Sequence, residues 1–387
     1  MTGDADLPEL ADYDFALPAS SIAQAPAAER EDARLFVLRR GAATGVEHGA
    51  SPAPEADARV RDLPALLAPG DLLVVNRTRV VPARLRGRKT SGGRAEVLLL
   101  GPEDGAPGDA RAASGAADPT EDGAQGAERR FRALLRHRGR LREGVELALD
   151  DAHGARAPLP ARVERVGADG EVVLAFPGDA SPYAWGEPPL PPYIRRPRGA
   201  HPCDGARYQT VFADADGAVA APTAGLHLTE ALLERLAARG VEVASVVLHV
   251  GVGTFRPLRR DDLAAKRLHR ERYVLPSGTA AAIARTRARG GRVVAVGTTT
   301  TRVLETCADA ASPGHVCARE GETDLFLAPG DRFRVVDALL TNFHLPRSSL
   351  LLLVCAFAGR ERVLDAYRRA VDAGYRFYSY GDAMLIL

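Results

Sequence analysis

Residues Ala280–Cys307 read AAAIARTRARGGRVVAVGTTTTRVLETC, and this stretch decides the fold class. Ala280 to Arg289 is predicted as a helix closed by Gly290-Gly291, because glycine accepts the left-handed backbone that ends a helix. Arg292 to Gly297 is a short run rich in β-branched apolar residues and is predicted as a strand. Thr298 to Cys307 then opens another helix. Such alternation of helix and strand is the pattern of a layered α/β domain.

The same pattern extends outward in both directions. Leu228 to Arg239 is amphipathic, with Leu228, Ala231, Leu232, Leu236 and Ala237 on one face and Gly240 at its end, and Val241 to Val250 follows as a strand. Leu350 to Phe357 is predicted as a buried strand and Glu361 to Val371 as a helix. Nearer the amino terminus, Leu72-Leu-Val-Val-Asn76 is a strand after the turn Pro69-Gly70-Asp71. Between these α/β portions lie Ala95 to Leu100, Phe131 to Leu135, Val145 to Leu149, Ala161 to Val166 and Glu171 to Phe176. Short strands at this spacing, without a helical period, predict a small antiparallel barrel. Gly101 to Glu128, rich in Gly, Ala, Asp and Pro, reads as a flexible insertion because it has little apolar surface to bury. The simplest layout inserts the barrel into the α/β domain.

With 387 residues, 46% of them hydrophobic, the chain can bury a large core shared by two or three domains. The start of the chain, with Asp4, Asp6 and Glu9, lacks the basic and apolar segments of a signal peptide. The longest apolar run, Leu350 to Ala358, falls short of the roughly 20 residues that span a bilayer. Cys203, Cys307, Cys317 and Cys355 form no Cys-x-x-Cys pair, which argues against a disulfide framework or a zinc site and for a reducing, cytoplasmic setting. Net charge is +1 with a pI near 7.8. Basic clusters occur at Arg129 to Arg142 and Arg256 to Arg272. Among 51 basic residues only Lys89 and Lys266 are lysines, a bias that tracks Ala- and Gly-rich composition. The clusters alone therefore leave nucleic-acid binding open.

No Walker A loop is present, and Gly251-Val-Gly253 lacks the third glycine of a dinucleotide loop, where Arg256 stands. Other loops carry chemistry-bearing residues. Pro222-Thr-Ala-Gly-Leu-His227 precedes a helix whose open N–H groups suit an anion, or is a simple capped turn. Leu248-His-Val-Gly-Val-Gly-Thr-Phe255 places His249 at a strand end, where ligands collect in α/β sheets, though a structural histidine fits there too. Gly297-Thr-Thr-Thr-Thr-Arg302 joins strand to helix and offers four hydroxyls, more than one N-cap needs. Thr341-Asn-Phe-His-Leu-Pro346 sets Asn342 and His344 beside a buried element, and Tyr378-Ser-Tyr-Gly-Asp382 is unusually polar for a chain end. Together they predict one composite cleft.

These motifs occur in order with Asp12-Tyr13-Asp14-Phe15, Ile22-Ala23-Gln24, Asn76-Arg-Thr-Arg79, Pro82-Ala83-Arg84, Pro189-Leu-Pro-Pro-Tyr-Ile194 and Tyr208-Gln-Thr210. In this the chain resembles the S-adenosylmethionine:tRNA ribosyltransferase-isomerase family of queuosine biosynthesis, end to end apart from residues 101–128. The resemblance implies a three-layer α/β main domain, residues 1–76 and 183–387, with an inserted small antiparallel β-barrel at 77–182. It implies S-adenosylmethionine as ribosyl donor and 7-aminomethyl-7-deazaguanine in tRNA as acceptor. The products are epoxyqueuosine, adenine and methionine, and no metal is implied; the chain is expected to be a monomer that does not engage a membrane. His227, His249 and His344 are expected to do the acid–base work. The donor is expected against Thr223, Gly225, Gly251, Gly253, Thr254, Asn342 and Tyr380, with its carboxylate or neighbouring polar groups held by Thr298, Thr299, Thr300 and Arg302. Arg77, Arg79 and Arg84 are expected at tRNA phosphates, and Tyr193, Tyr208 and Gln209 on the acceptor side.

The chain departs from the family pattern at Arg77, Lys266, Arg272, Thr300-Thr301 and Arg347. The last replaces an acidic residue. Two alternatives accordingly stand beside the main expectation: S-adenosylmethionine chemistry on a small-molecule acceptor, and RNA binding without catalysis.

Overall fold

The Val293–Val296 segment is a fully buried strand, and it lies inside an eight-stranded sheet. The computed structural model describes residues 10–40, 58–103, 128–178, 181–196, 201, 203–251, 253, 258 and 260–387. Across the sheet the order is β1 (Leu35–Leu38), β16 (Ala383–Ile386), β15 (Ala338–Asn342), β13 (Val293–Val296), β2 (Leu72–Asn76), β11 (Glu242–Leu248), β12 (Arg267–Leu275) and β14 (Arg319–Leu325). The neighbours β15, β13, β2 and β11 run parallel. Their carboxyl ends, at Asn342, Val296, Asn76 and Leu248, therefore share one edge of the sheet. Ligand sites of open α/β sheets form along such an edge.

Both faces of this sheet are covered. On one, Leu72, Val74, Val293 and Ala295 pack under α5 (Ser277–Ala288), α6 (Thr298–Thr306), α7 (Ser349–Ala358) and α8 (Arg360–Asp372). On the other, Leu73, Val75, Val294 and Val296 pack under α1 (Leu63–Leu66) and α3 (Glu230–Ala238). Double burial accounts for the unbroken apolar runs of these strands. The main body is thus a three-layer α/β structure. Short helices α2 (Asp204–Arg207) and α4 (Arg260–Ala265) and a two-stranded parallel pair, β3 (Thr78–Val80) with β10 (Ala215–Ala218), complete it.

One element is not what the sequence pattern predicted. The run Leu350 to Phe357 is helix α7, not a strand. Ser348 caps it by accepting a hydrogen bond from the Leu351 N–H at 3.2 Å. Leu351, Leu352, Leu353 and Val354 are all buried, so an apolar surface on every side fits a helix enclosed by the core. Periodicity cannot separate such a helix from a buried strand.

The second unit is a closed antiparallel barrel of six strands. They are β4 (Arg84–Lys89), β5 (Arg94–Pro102), β6 (Arg129–His137), β7 (Glu146–Asp150), β8 (Leu159–Val166) and β9 (Glu171–Phe176). Alternate residues point inward, and Leu85, Val97, Leu99, Phe131, Leu135, Leu149, Val163 and Leu174 fill the interior. The arginine-rich strand β4 is absent from the sequence-based strands. Its inward positions include Gly87, where a Cβ would stand 2.1 Å from the Ala148 carbonyl oxygen. Of the expected flexible insertion, residues 104–127 lie outside the described residues.

Candidate functional site

A cavity of about 530 Å³, counting its open mouth, lies at the shared carboxyl edge of the parallel strands. Strand β15 delivers Thr341 and Asn342 to its wall, and His344 follows directly. From β13 the chain turns at Gly297 into α6, and Gly297, Thr298 and Thr299 line the opposite side. Gly297 has φ of 86° and ψ of 158°, a backbone region that essentially only glycine occupies. The first-turn N–H groups of α6 lie at this wall, a setting that favours an anion. Thr223, Ala220 to Ala224, Val250, Leu350, Tyr193, Tyr378 and Ser379 enclose the remainder.

Of the expected site residues, the fold therefore brings Thr223, Thr298, Thr299, Asn342, His344 and Tyr193 to one cavity. Thr341, Tyr378 and Ser379, which the sequence placed in loops of the composite cleft without individual roles, also line it. Tyr378 has φ of 76°, rare for a residue with a side chain. Its N–H donates to the Phe343 carbonyl at 3.0 Å, and its ring meets Tyr193 edge-on at 3.9 Å between centroids. The Tyr193 hydroxyl in turn bonds the Ser379 hydroxyl. Asp382 holds this terminal turn by accepting from the backbone N–H groups of Arg34 at 3.1 Å and Arg376 at 2.8 Å.

The three histidines occupy different places. His344 is buried at the cavity, with Nε2 at 2.9 Å from the Thr341 hydroxyl, and its backbone N–H donates to the Tyr367 hydroxyl at 3.1 Å. His227 stands behind Asn342, whose Nδ2 donates to its Nε2 at 3.1 Å while Oδ1 accepts from the Thr223 hydroxyl at 2.9 Å. An imidazole that accepts at Nε2 carries its proton on Nδ1 when neutral. His227 also borders a second cavity with Arg30, Arg207 and Tyr380, and Ser379 lines both cavities. His249, at the end of β11, has Nδ1 at 2.9 Å from the Thr78 hydroxyl.

Burial lowers the pKa of all three. His227 falls to about 4, with Arg376 and Arg30 adding to the effect against Asp382. His249 also falls to about 4, helped by the positive charges of Arg272 and Arg77. His344 falls to about 3 through burial alone. All three are neutral at pH 7 and accept protons without first losing one.

Several expected contacts are directed elsewhere. Arg302 does not reach the cavity. It forms a buried ion pair with Glu271 and donates to the Leu325 carbonyl at 3.0 Å and the Thr323 carbonyl at 3.4 Å. The Thr300 hydroxyl is spent on the carbonyl of Val296, the last residue of β13, at 2.7 Å. Gly225 is a packing position, since a Cβ there would stand 2.8 Å from the Phe212 ring. The Gly251 N–H donates to Glu271 Oε1 at 2.9 Å, and Gly253 lies against the His269 ring. Tyr380 borders the second cavity rather than the first, and Thr254 lies outside the described residues. Tyr208 is wholly buried, and Gln209 clamps both backbone groups of Val80 at 3.2 Å. Arg77, Arg79 and Arg84 all meet acceptors of this chain: Asp214 at 2.5 Å, the Ala213 carbonyl at 2.7 Å and Glu96 at 3.0 Å. These partners lie far apart along the chain at no regular interval, so no motif shows them.

Asn76 is a further residue that motif reading left without a role. Its Nδ2 donates to the Leu248 carbonyl at 3.0 Å and Thr299 Oγ1 at 3.2 Å, and its Oδ1 accepts from the Leu248 N–H at 3.0 Å. It thereby ties the ends of β2 and β11 to the first turn of α6. The signal was a polar residue closing an apolar strand. Among the described residues no group of three or more His, Cys, Asp or Glu side chains is placed to hold a metal ion, and no helix is long and apolar enough to cross a membrane.

Residues 10–386 match the family model described as queuosine biosynthesis protein. A protein of Anaeromyxobacter dehalogenans (strain 2CP-C), named S-adenosylmethionine:tRNA ribosyltransferase-isomerase, is 51% identical over 98% of this chain and 99% of its own length. A Sorangium cellulosum (strain So ce56) protein of the same name is 51% identical, with 98% of each chain covered. The crystal structure of S-adenosylmethionine tRNA ribosyltransferase from Thermotoga maritima superposes with a TM-score of 0.50 at 36% identity, over 97% of this chain and 100% of that one.

Proposed function

Because the chain belongs to the queuosine biosynthesis protein family, we infer that it is an enzyme with the S-adenosylmethionine:tRNA ribosyltransferase-isomerase activity. It moves and isomerises the ribosyl unit of S-adenosylmethionine onto 7-aminomethyl-7-deazaguanine in tRNA, giving epoxyqueuosine and releasing adenine and methionine. The observation that carries this is identity of 51% along nearly the entire length of relatives bearing that name. Neither the small-molecule nor the non-catalytic alternative gains support from the comparisons.

The cavity at the strand ends suits the donor in its chemistry. The open N–H groups of Thr298 and Thr299 at the start of α6 are placed to receive the methionine carboxylate without a side-chain cation. The sulfonium acidifies the ribose C5′ hydrogens, so a neutral imidazole suffices as acceptor for that proton. His344 takes this role because it alone of the three histidines lines the cavity. Departing adenine needs a proton, and a histidine with depressed pKa does not bring one of its own. The proton taken from C5′ is the one His344 can return. Asn342 fixes His227 and Thr223 around the same wall, and His249 stands at the neighbouring loop beside Thr78. The inclined rings of Tyr193 and Tyr378 line the cavity, and an exposed ring face there suits stacking of a base.

The test is turnover with S-adenosylmethionine in the presence and absence of tRNA carrying the modified base. Adenine release that requires this tRNA, with epoxyqueuosine in the digested product, is the expected result. Adenine release without a modified nucleoside points to a small-molecule acceptor, and neither product points to a binding protein.

A further inference from the structure

The arginines of the barrel divide into two groups by position. Along its sides most are paired with carboxylates: Arg84 with Glu96, Arg86 with Glu187, Arg130 with Glu164, Arg132 with Glu171, Arg162 with Glu128 and Arg165 with Glu103, while Arg129 lies over the Phe131 ring. At one end they are not. Arg88, Arg94, Arg136, Arg138, Arg140 and Arg142 are exposed and, among the described residues, make no ion pair. Strands β4 and β5 turn there between Lys89 and Arg94, and the connection from β6 to β7 packs against that turn. The Lys89 ammonium, buried, donates to the Arg140 carbonyl at 3.2 Å and so holds the two loops together. Glu143, Glu146 and Asp169 lie toward this end, and Glu96, across the ladder from Arg136, is paired with Arg84. On a chain whose net charge is only +1, it is a local concentration of unneutralised positive charge.

Its distance from the reacting site is set by the strands. At the other end of the barrel the Val81 N–H donates to the Ala218 carbonyl and the Val219 N–H to the Val250 carbonyl, both at 3.0 Å, and Val250 lines the cavity. The six residues of β4 separate the two ends by about 20 Å. A nucleotide in the cavity would therefore have its flanking helical stem within reach of the far end of the barrel. RNA helices are gripped chiefly through phosphates and 2′-hydroxyls, for which free guanidinium groups are suited.

We propose that the barrel end bearing Arg88, Arg94, Arg136, Arg138, Arg140 and Arg142 is an RNA-docking surface that grips stem phosphates of the tRNA substrate away from the reacting nucleotide. This rests on the tRNA-modifying activity inferred above. Side-chain pairing is what separates these arginines from Arg77, Arg79 and Arg84, whose charge or donors are already engaged near the cavity.

The experiment compares the parent protein with the combined variant Arg94→Ala, Arg138→Ala, Arg140→Ala and Arg142→Ala, all at exposed positions. Equilibrium binding of full-length tRNA is measured over a series of salt concentrations, alongside turnover on full-length tRNA and on an isolated anticodon stem-loop. Loss of four phosphate contacts flattens the slope of log affinity against log salt by about 3. The expected result is that flattening, a KM for tRNA raised at least about tenfold near 0.1 M salt, and kcat on saturating tRNA unchanged. Unchanged affinity and slope in the variant would overturn the proposal. Absence of turnover by the parent protein would instead overturn the functional inference, and the salt slope would still report on the barrel end.

Discussion

Asn342 and His227 are joined across the wall of the candidate site, Nδ2 to Nε2 at 3.1 Å, and both side chains are buried. The same amide accepts from Thr223, so a single residue at the end of β15 orients two side chains from the loop before α3. Asn342→Ala strands a buried imidazole and a threonine hydroxyl without partners. The expected cost is about 1–3 kcal/mol of stability, read by chemical denaturation. Turnover falls as well, because the wall facing the cavity loses its order.

His344→Ala removes the proposed proton acceptor, the histidine that lines the cavity. Turnover is expected to fall by about 10²–10⁴, with the affinity for S-adenosylmethionine largely kept. Steady-state kinetics with titration calorimetry separate the two effects. Undiminished turnover would move the base to His249 or His227.

The buried pair Arg302–Glu271 acts at a distance from the cavity. Glu271 also accepts from the Gly251 N–H in the loop after His249, and Arg302 belongs to α6, which carries Thr298 and Thr299. Glu271→Ala leaves a buried guanidinium uncompensated and is expected to cost about 3–5 kcal/mol, measured by denaturant midpoint. The double change Glu271→Leu with Arg302→Met is expected to regain much of the stability. Turnover stays reduced in it, since Gly251 still lacks its acceptor.

Stability is expected to decline in mild acid because of the buried histidines. In the unfolded chain each imidazole binds a proton near pH 6.5, whereas His227 and His249 bind one only near 4 and His344 near 3 when folded. Below pH 6.5 the unfolded state therefore holds more protons, and stability drops as pH falls through the window down to about 4, or about 3 for His344. The slope is about 1.4 kcal/mol per pH unit for each fully buried histidine, and less for the half-buried His249. Thermal midpoints across that range check it, with His344→Gln giving a shallower fall.

Much of the fold was legible because it rests on short-range patterns. Gly290-Gly291, the Val293–Val296 run and the threonines after Gly297 mark a helix end, a strand and a helix start by local chemistry alone. Leu350–Ala358 was misread because a helix buried on every side has no polar stripe to show its period. Strand β4 was missed because four of its six residues are basic and one inward position is glycine. Within the site, motif loops located His344, Asn342, Thr223 and Thr298–Thr299. What no motif conveys is a partner distant in sequence: Glu271 drawing Arg302 away, or Asp214 meeting Arg77.

The most direct measurement follows two labels in the donor. S-adenosylmethionine carrying heavy carbon either in its ribose or in its methyl group is turned over with tRNA bearing the 7-aminomethyl-7-deazaguanine base. The digested nucleosides are then weighed by mass spectrometry. Ribosyl transfer from the cavity at the strand ends predicts that the ribose label enters the modified nucleoside while the methyl label leaves entirely with methionine. A methyl label in the tRNA, or a ribose label that never reaches it, would contradict that claim.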